Sequence, residues 1–97
     1  MAQTIIVADD HPLFRAALKQ AVSQAVPDAE TVEVDSIKAL QAAVESHPDA
    51  DLVLLDLNMP GAHGFSGLVF MRGQYPGLPV VVVSGSEELQ VMRRSID

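Results

Sequence analysis

Short apolar runs alternate along this chain with stretches of helical period. Thr4-Ile5-Ile6-Val7-Ala8 is β-branched and apolar at successive positions, as a strand buried on both faces would be. Pro12 stands where a helix would begin, and its missing N–H costs nothing there. Leu13, Ala17, Ala21 and Ala25 recur every four residues, with Phe14, Leu18 and Val22 beside them, which predicts one apolar helical face ending at Pro27-Asp28. Thr31–Val34 alternates polar and apolar and reads as an edge strand with one wet face. Asp35 or Ser36 can cap the next helix, whose stripe is Ile37, Leu40 and Val44 and which closes at His47-Pro48. Leu52–Leu55 is a second fully apolar run and should be a central strand. Asn58-Met59-Pro60-Gly61 is a turn signal. A helix follows from about Ser66 to Tyr75, with Leu68 and Met71 buried, and Gly73 and Pro76-Gly77 weaken and stop it. Val80–Val83 is a fourth strand, and Glu87-Glu88 favour a further helix through the macrodipole, with Leu89, Met92 and Ile96 as its stripe.

Alternating strands and helices predict an α/β fold, a doubly wound parallel sheet with right-handed crossovers. With 97 residues and no repeat, linker or low-complexity segment, residues 1–97 read as one domain. A 48% hydrophobic content can supply a core, yet the longest apolar runs are four or five residues, far short of a membrane span. The first residues show no signal peptide. The absence of cysteine excludes disulfides and thiolate metal sites, which fits a cytoplasmic protein. A net charge of −7 is a poor match for nucleic acid, and Arg93-Arg94 reads as a solvated helix face, so no DNA binding is expected through this segment.

Candidate chemistry lies where strands run out. Asp9 and Asp10 follow the first strand, and Asp56 follows Leu52–Leu55. Ligands of parallel α/β sheets bind beyond the carboxyl ends of the strands, so these carboxylates should meet in one shallow pocket. Packed like charges repel and call for a cation or a proton. A hard divalent ion such as Mg²⁺, held by carboxylates and open to a phosphate, suits them.

Asp9-Asp10, then Asp56-Leu57-Asn58-Met59-Pro60-Gly61, then Ser84-Gly85-Ser86 resembles the receiver domain of bacterial two-component response regulators. Val7-Ala8-Asp9-Asp10-His11-Pro12-Leu13-Phe14-Arg15 looks closest to the NarL/FixJ-type branch. The resemblance covers essentially the whole chain. It implies a flavodoxin-like strand order 2-1-3-4, with the family's fifth strand and last helix absent from this sequence. It implies that Asp56 accepts a phosphoryl group from a histidine kinase, and that Asp9, Asp10 and Asp56, with the backbone carbonyl of Asn58, hold Mg²⁺. Ser84 would hydrogen-bond the phosphoryl oxygens, and the small Gly85 would leave room. The family's lysine at the end of the fifth strand has no counterpart, since Lys19 and Lys38 both fall in predicted helices, so phosphotransfer is expected to be impaired. The resemblance also implies that the chain is the N-terminal regulatory part of a transcription factor, not a turnover enzyme, with DNA bound only through a domain outside it. Without a fifth strand, self-association through the Val80–Val83 edge or the Leu89, Met92, Ile96 stripe is expected.

Plainer readings stand beside these. Asp9-Asp10 could cap a helix only, Asp56 could begin a loop, and Ser84 and Asn58 could be turn residues. At all of these positions the site reading is preferred, at Asp9-Asp10 because two acids exceed what a cap needs. His11 lies beside the pocket but reads as a solvated helix-start residue, His47 and His63 as loop residues, and Met59 and Phe65 as packing residues. The alternative function is a phosphorylation-independent interaction or dimerisation module with the same fold. A phosphatase or flavin enzyme fits less well, because Asn58 stands where the haloacid dehalogenase type wants a second acid and the first turn lacks glycines.

Overall fold

The apolar runs pair side by side. In a computed structural model of the chain, which describes residues 2–57, 59 and 66–83, the elements are β1 (Thr4–Ala8), α1 (Pro12–Ala25), β2 (Glu30–Val34), α2 (Ile37–Ser46), β3 (Leu52–Asp56), α3 (Ser66–Gln74) and β4 (Val80–Val83). The four strands form one parallel sheet in the order β2-β1-β3-β4. This is the order expected from the sequence, with β1 and β3 inside.

The local chemistry explains the boundaries. Pro12 opens α1. Ser36 caps α2, its hydroxyl oxygen accepting from the Ala39 N–H at 3.1 Å. Asp51 ties the starts of β1 and β3 together: its carboxylate accepts from the Thr4 N–H, and its own N–H donates to the Thr4 carbonyl, each at 2.8 Å. Ile6, Val53, Leu55, Val82, Leu40 and Met71 are fully buried, so sheet and helices share one core. Met59 is buried in it as well, which makes it a packing residue as expected. Among the described residues no helix is long and apolar enough to cross a membrane.

Two expectations change. The row Leu13, Ala17, Ala21, Ala25 is exposed, Leu13 at 88%. Alpha-helical rows four residues apart lie side by side, and only one can face a sheet squarely. That row is Phe14, Leu18 and Val22, turned toward β1 and β2. The valines of β4 are not an exposed apolar surface either: Val80, Val82 and Val83 are buried in the core, although β4 is an outer strand among the described residues. The Leu89, Met92, Ile96 stripe lies outside the described residues, as do His63, Phe65 and Arg93-Arg94.

Candidate metal centre

Sheet register brings the acids together. Ala8 pairs with Leu55, so the residues after them, Asp9 and Asp56, come level at the carboxyl ends of adjacent parallel strands. The Asp9 N–H donates to the Val34 carbonyl at 3.0 Å, which carries the β1–β2 ladder one residue further and holds Asp9 in line. Asp9 is wholly buried and Asp56 is 2% exposed; Asp10, in the loop after β1, is half-buried.

One Asp9 oxygen, Oδ1, accepts from the His11 N–H at 2.7 Å. The other, Oδ2, is buried and accepts no hydrogen bond, and neither does the buried Asp10 Oδ1. A buried carboxylate oxygen without a donor is costly unless a cation meets it. One ligand atom each from Asp9, Asp10, His11 and Asp56 lies within 4.8 Å of all the others. Six-coordinate Mg²⁺ at about 2.1 Å from its ligands places adjacent donors about 3 Å apart and opposite ones about 4.2 Å apart. The oxygen-rich set, gathered within 4.8 Å, therefore suits a hard divalent ion.

His11 lies beside the pocket, as expected. Its side chain is 66% exposed, in keeping with a solvated residue, yet Nδ1 lies 3.1 Å from Asp10 Oδ1, 3.4 Å from Asp9 Oδ1 and 3.9 Å from Asp56 Oδ2. His47 ends α2, where its N–H donates to the Ala43 and Val44 carbonyls. Asn58, Ser84 and Gly85 lie outside the described residues.

Sequence reasoning missed Arg15. Its Nη1 donates to the Asp9 carbonyl at 2.8 Å and its Nε to Glu33 Oε1 at 3.1 Å, while Lys19 Nζ lies 3.3 Å from Glu33 Oε2. The hydrogen bonds from Arg15 and Lys19 hold the Glu33 carboxyl below its ordinary pKa. Arg15 thus fastens the end of β1 to β2. A signal was available: an arginine one turn into a helix opposes the macrodipole and needs a partner to hold it there.

A family model of the response regulator receiver domain matches residues 5–97. The chain belongs to the response regulator receiver family. Over 92 residues it is 42% identical to the glycerol metabolism activator of Pseudomonas putida, the match covering 95% of this chain and 42% of that protein. It is 38% identical over 98 residues to the nitrate/nitrite response regulator protein NarL of Escherichia coli K12, covering 97% of this chain and 45% of that protein. This receiver chain therefore spans less than half the length of these relatives. Among solved structures, the receiver domain of a NarL response regulator from Mycobacterium tuberculosis superposes with a TM-score of 0.75 at 28% identity, over 98% of this chain and 76% of that one. The resemblance to NarL/FixJ-type regulators and the flavodoxin-like order expected from the sequence both agree with these matches.

Proposed function

We propose that this receiver domain accepts a phosphoryl group from a histidine kinase onto Asp56, and that Asp9, Asp10, Asp56 and the backbone carbonyl of Asn58 hold the Mg²⁺ that assists. The observation that carries the reading is the burial of Asp56 beside the wholly buried Asp9 at adjacent strand ends, with Asp9 Oδ2 lacking a hydrogen-bond donor. When bound, Mg²⁺ neutralises the meeting of an anionic acceptor with an anionic phosphoryl group and orients that group. An Asp56 carboxylate oxygen forms the bond to phosphorus as the phosphorus–nitrogen bond of the donor phosphohistidine breaks. Asp9 and Asp10 would hold the cation at the end of β1, and Arg15 holds the Asp9 carbonyl. Ser84 donates its hydroxyl to a phosphoryl oxygen. The chemistry is positioning and charge stabilisation, with uptake on the chain itself and no turnover of a separate substrate.

In this reading residues 1–97 are the regulatory receiver domain of a cytoplasmic transcription regulator, and DNA is met by another domain. The partners are the kinase and, at high concentration, a second copy of the chain. Sedimentation over a wide concentration range would then show a rising mean mass, and a constant monomer mass would remove the second copy.

Titrating Mg²⁺ against wild type and Asp56→Asn tests the metal assignment. Binding should weaken at least tenfold in the variant, about 1.4 kcal/mol. Equal weak binding in both would remove Asp56 from the ligand set.

A further inference from the structure

His11 begins α1 at the N-cap position, where a polar side chain ordinarily turns back to accept from the first N–H groups of the helix. Its ring makes no such bond. Nδ1 instead points among three carboxylates, 3.1 to 3.9 Å from one oxygen of each. The backbone keeps it there. His11 precedes Pro12, which restricts it to the extended conformation it adopts, at φ −100° and ψ 107°, and its N–H is tied to Asp9 Oδ1 at 2.7 Å.

The 3.1 and 3.4 Å separations to Asp10 and Asp9 are those of neighbouring donors on one ion, and the 3.9 Å to Asp56 falls between neighbouring and opposite octahedral positions. Neighbouring ligands of an octahedral or tetrahedral cation at about 2.1 Å lie about 3.0 to 3.4 Å apart. Asp9 Oδ2, the other oxygen of the buried carboxylate that Nδ1 approaches at Oδ1, accepts no hydrogen bond. Imidazole nitrogen is a borderline ligand that suits Zn²⁺, Co²⁺ and Ni²⁺, whereas Mg²⁺ favours oxygen and keeps its waters. We infer that His11 is a fourth side-chain ligand that makes this centre take borderline divalent transition ions in preference to Mg²⁺, with Nδ1 completing the set of Asp9, Asp10 and Asp56. This rests on the metal reading above and adds a selectivity to it. Carboxylates alone rank these metals in the same order, so the part of the preference that depends on His11 is what matters.

The experiment is calorimetric titration of wild type, His11→Ala and Asp56→Asn with Mg²⁺, Co²⁺ and Zn²⁺ at about pH 8, where a free imidazole is neutral. Wild type should bind Co²⁺ and Zn²⁺ more tightly than Mg²⁺. His11→Ala should weaken both by roughly tenfold or more while changing Mg²⁺ less than about threefold. In the wild-type chain, Co²⁺ should shift and broaden the ring proton signals of His11 and leave those of His47 in place, a readout that needs no variant. Co²⁺ and Zn²⁺ affinities unchanged in His11→Ala, or all three metals tightened alike, would overturn the inference while leaving the carboxylate centre intact. No binding of any metal to wild type would overturn both.

Discussion

Asp51 and Asp56 flank the same strand. Asp51 precedes β3, is exposed, and accepts a hydrogen bond from the Thr4 N–H. Asp56 ends β3, is buried, and lies beside Asp9 and Asp10. The first aspartate meets a donor that the fold already provides and so does structural work. The second lies among other carboxylates, an arrangement that favours a cation. At the amino end of β3 a single acid meets a backbone donor; at the carboxyl end three acids and His11 gather.

The sharpest way to widen or close that contrast is metal addition. Mg²⁺ at about 100 times its Kd should raise unfolding stability by about 2.7 kcal/mol in wild type and in Asp51→Ala, and should do little in Asp9→Asn. Urea unfolding with and without Mg²⁺ measures it; an equal gain in Asp9→Asn would dissolve the contrast. Next in size, Asp9→Asn should stabilise the metal-free chain by about 1–3 kcal/mol, because the new amide can donate to the neighbouring carboxylates. Asp51→Ala should act in the opposite sense, costing about 1 kcal/mol by leaving the Thr4 N–H without its acceptor, with Mg²⁺ affinity unchanged. The same unfolding curves, without metal, give both signs.

The smallest expected effect is a pH dependence on the β2 side of the centre. The carboxyl of Glu33 is held below its ordinary pKa by hydrogen bonds from Arg15 and Lys19. Its contribution is therefore present above the unfolded carboxylate pKa, about 4.3, and is lost as pH falls through the lower folded value. The pair is partly exposed and screened, so the difference between wild type and Glu33→Gln should stay below about 1 kcal/mol near neutrality and vanish in acid. A difference that grows as pH falls would contradict the sign.

Asp9, Asp10 and Asp56 were legible because acids directly after apolar strands are conspicuous, and one rule about parallel sheets places them together. The strand order was legible from the resemblance, and the central place of β3 from its apolar run. What a linear reading could not weigh was set by relations between distant segments. The register of β1 against β2 brings Glu33 within reach of Arg15, eighteen residues away in sequence. The rotation of α1 decides that Phe14, not Leu13, faces the sheet. His11 was noticed, but its ring direction depends on the pinned N–H at Asp9 and on Pro12, which no composition or period reports.

In the proposed function Asp56 is the acceptor because of the company it keeps at the carboxyl end of β3. Incubation of wild type, Asp51→Ala and Asp56→Ala with a small phosphodonor and Mg²⁺, followed by intact mass, tests it most directly. Wild type and Asp51→Ala should each gain a single phosphoryl group, and Asp56→Ala none. Uptake that survives in Asp56→Ala, or that disappears in a folded Asp51→Ala, would contradict the account.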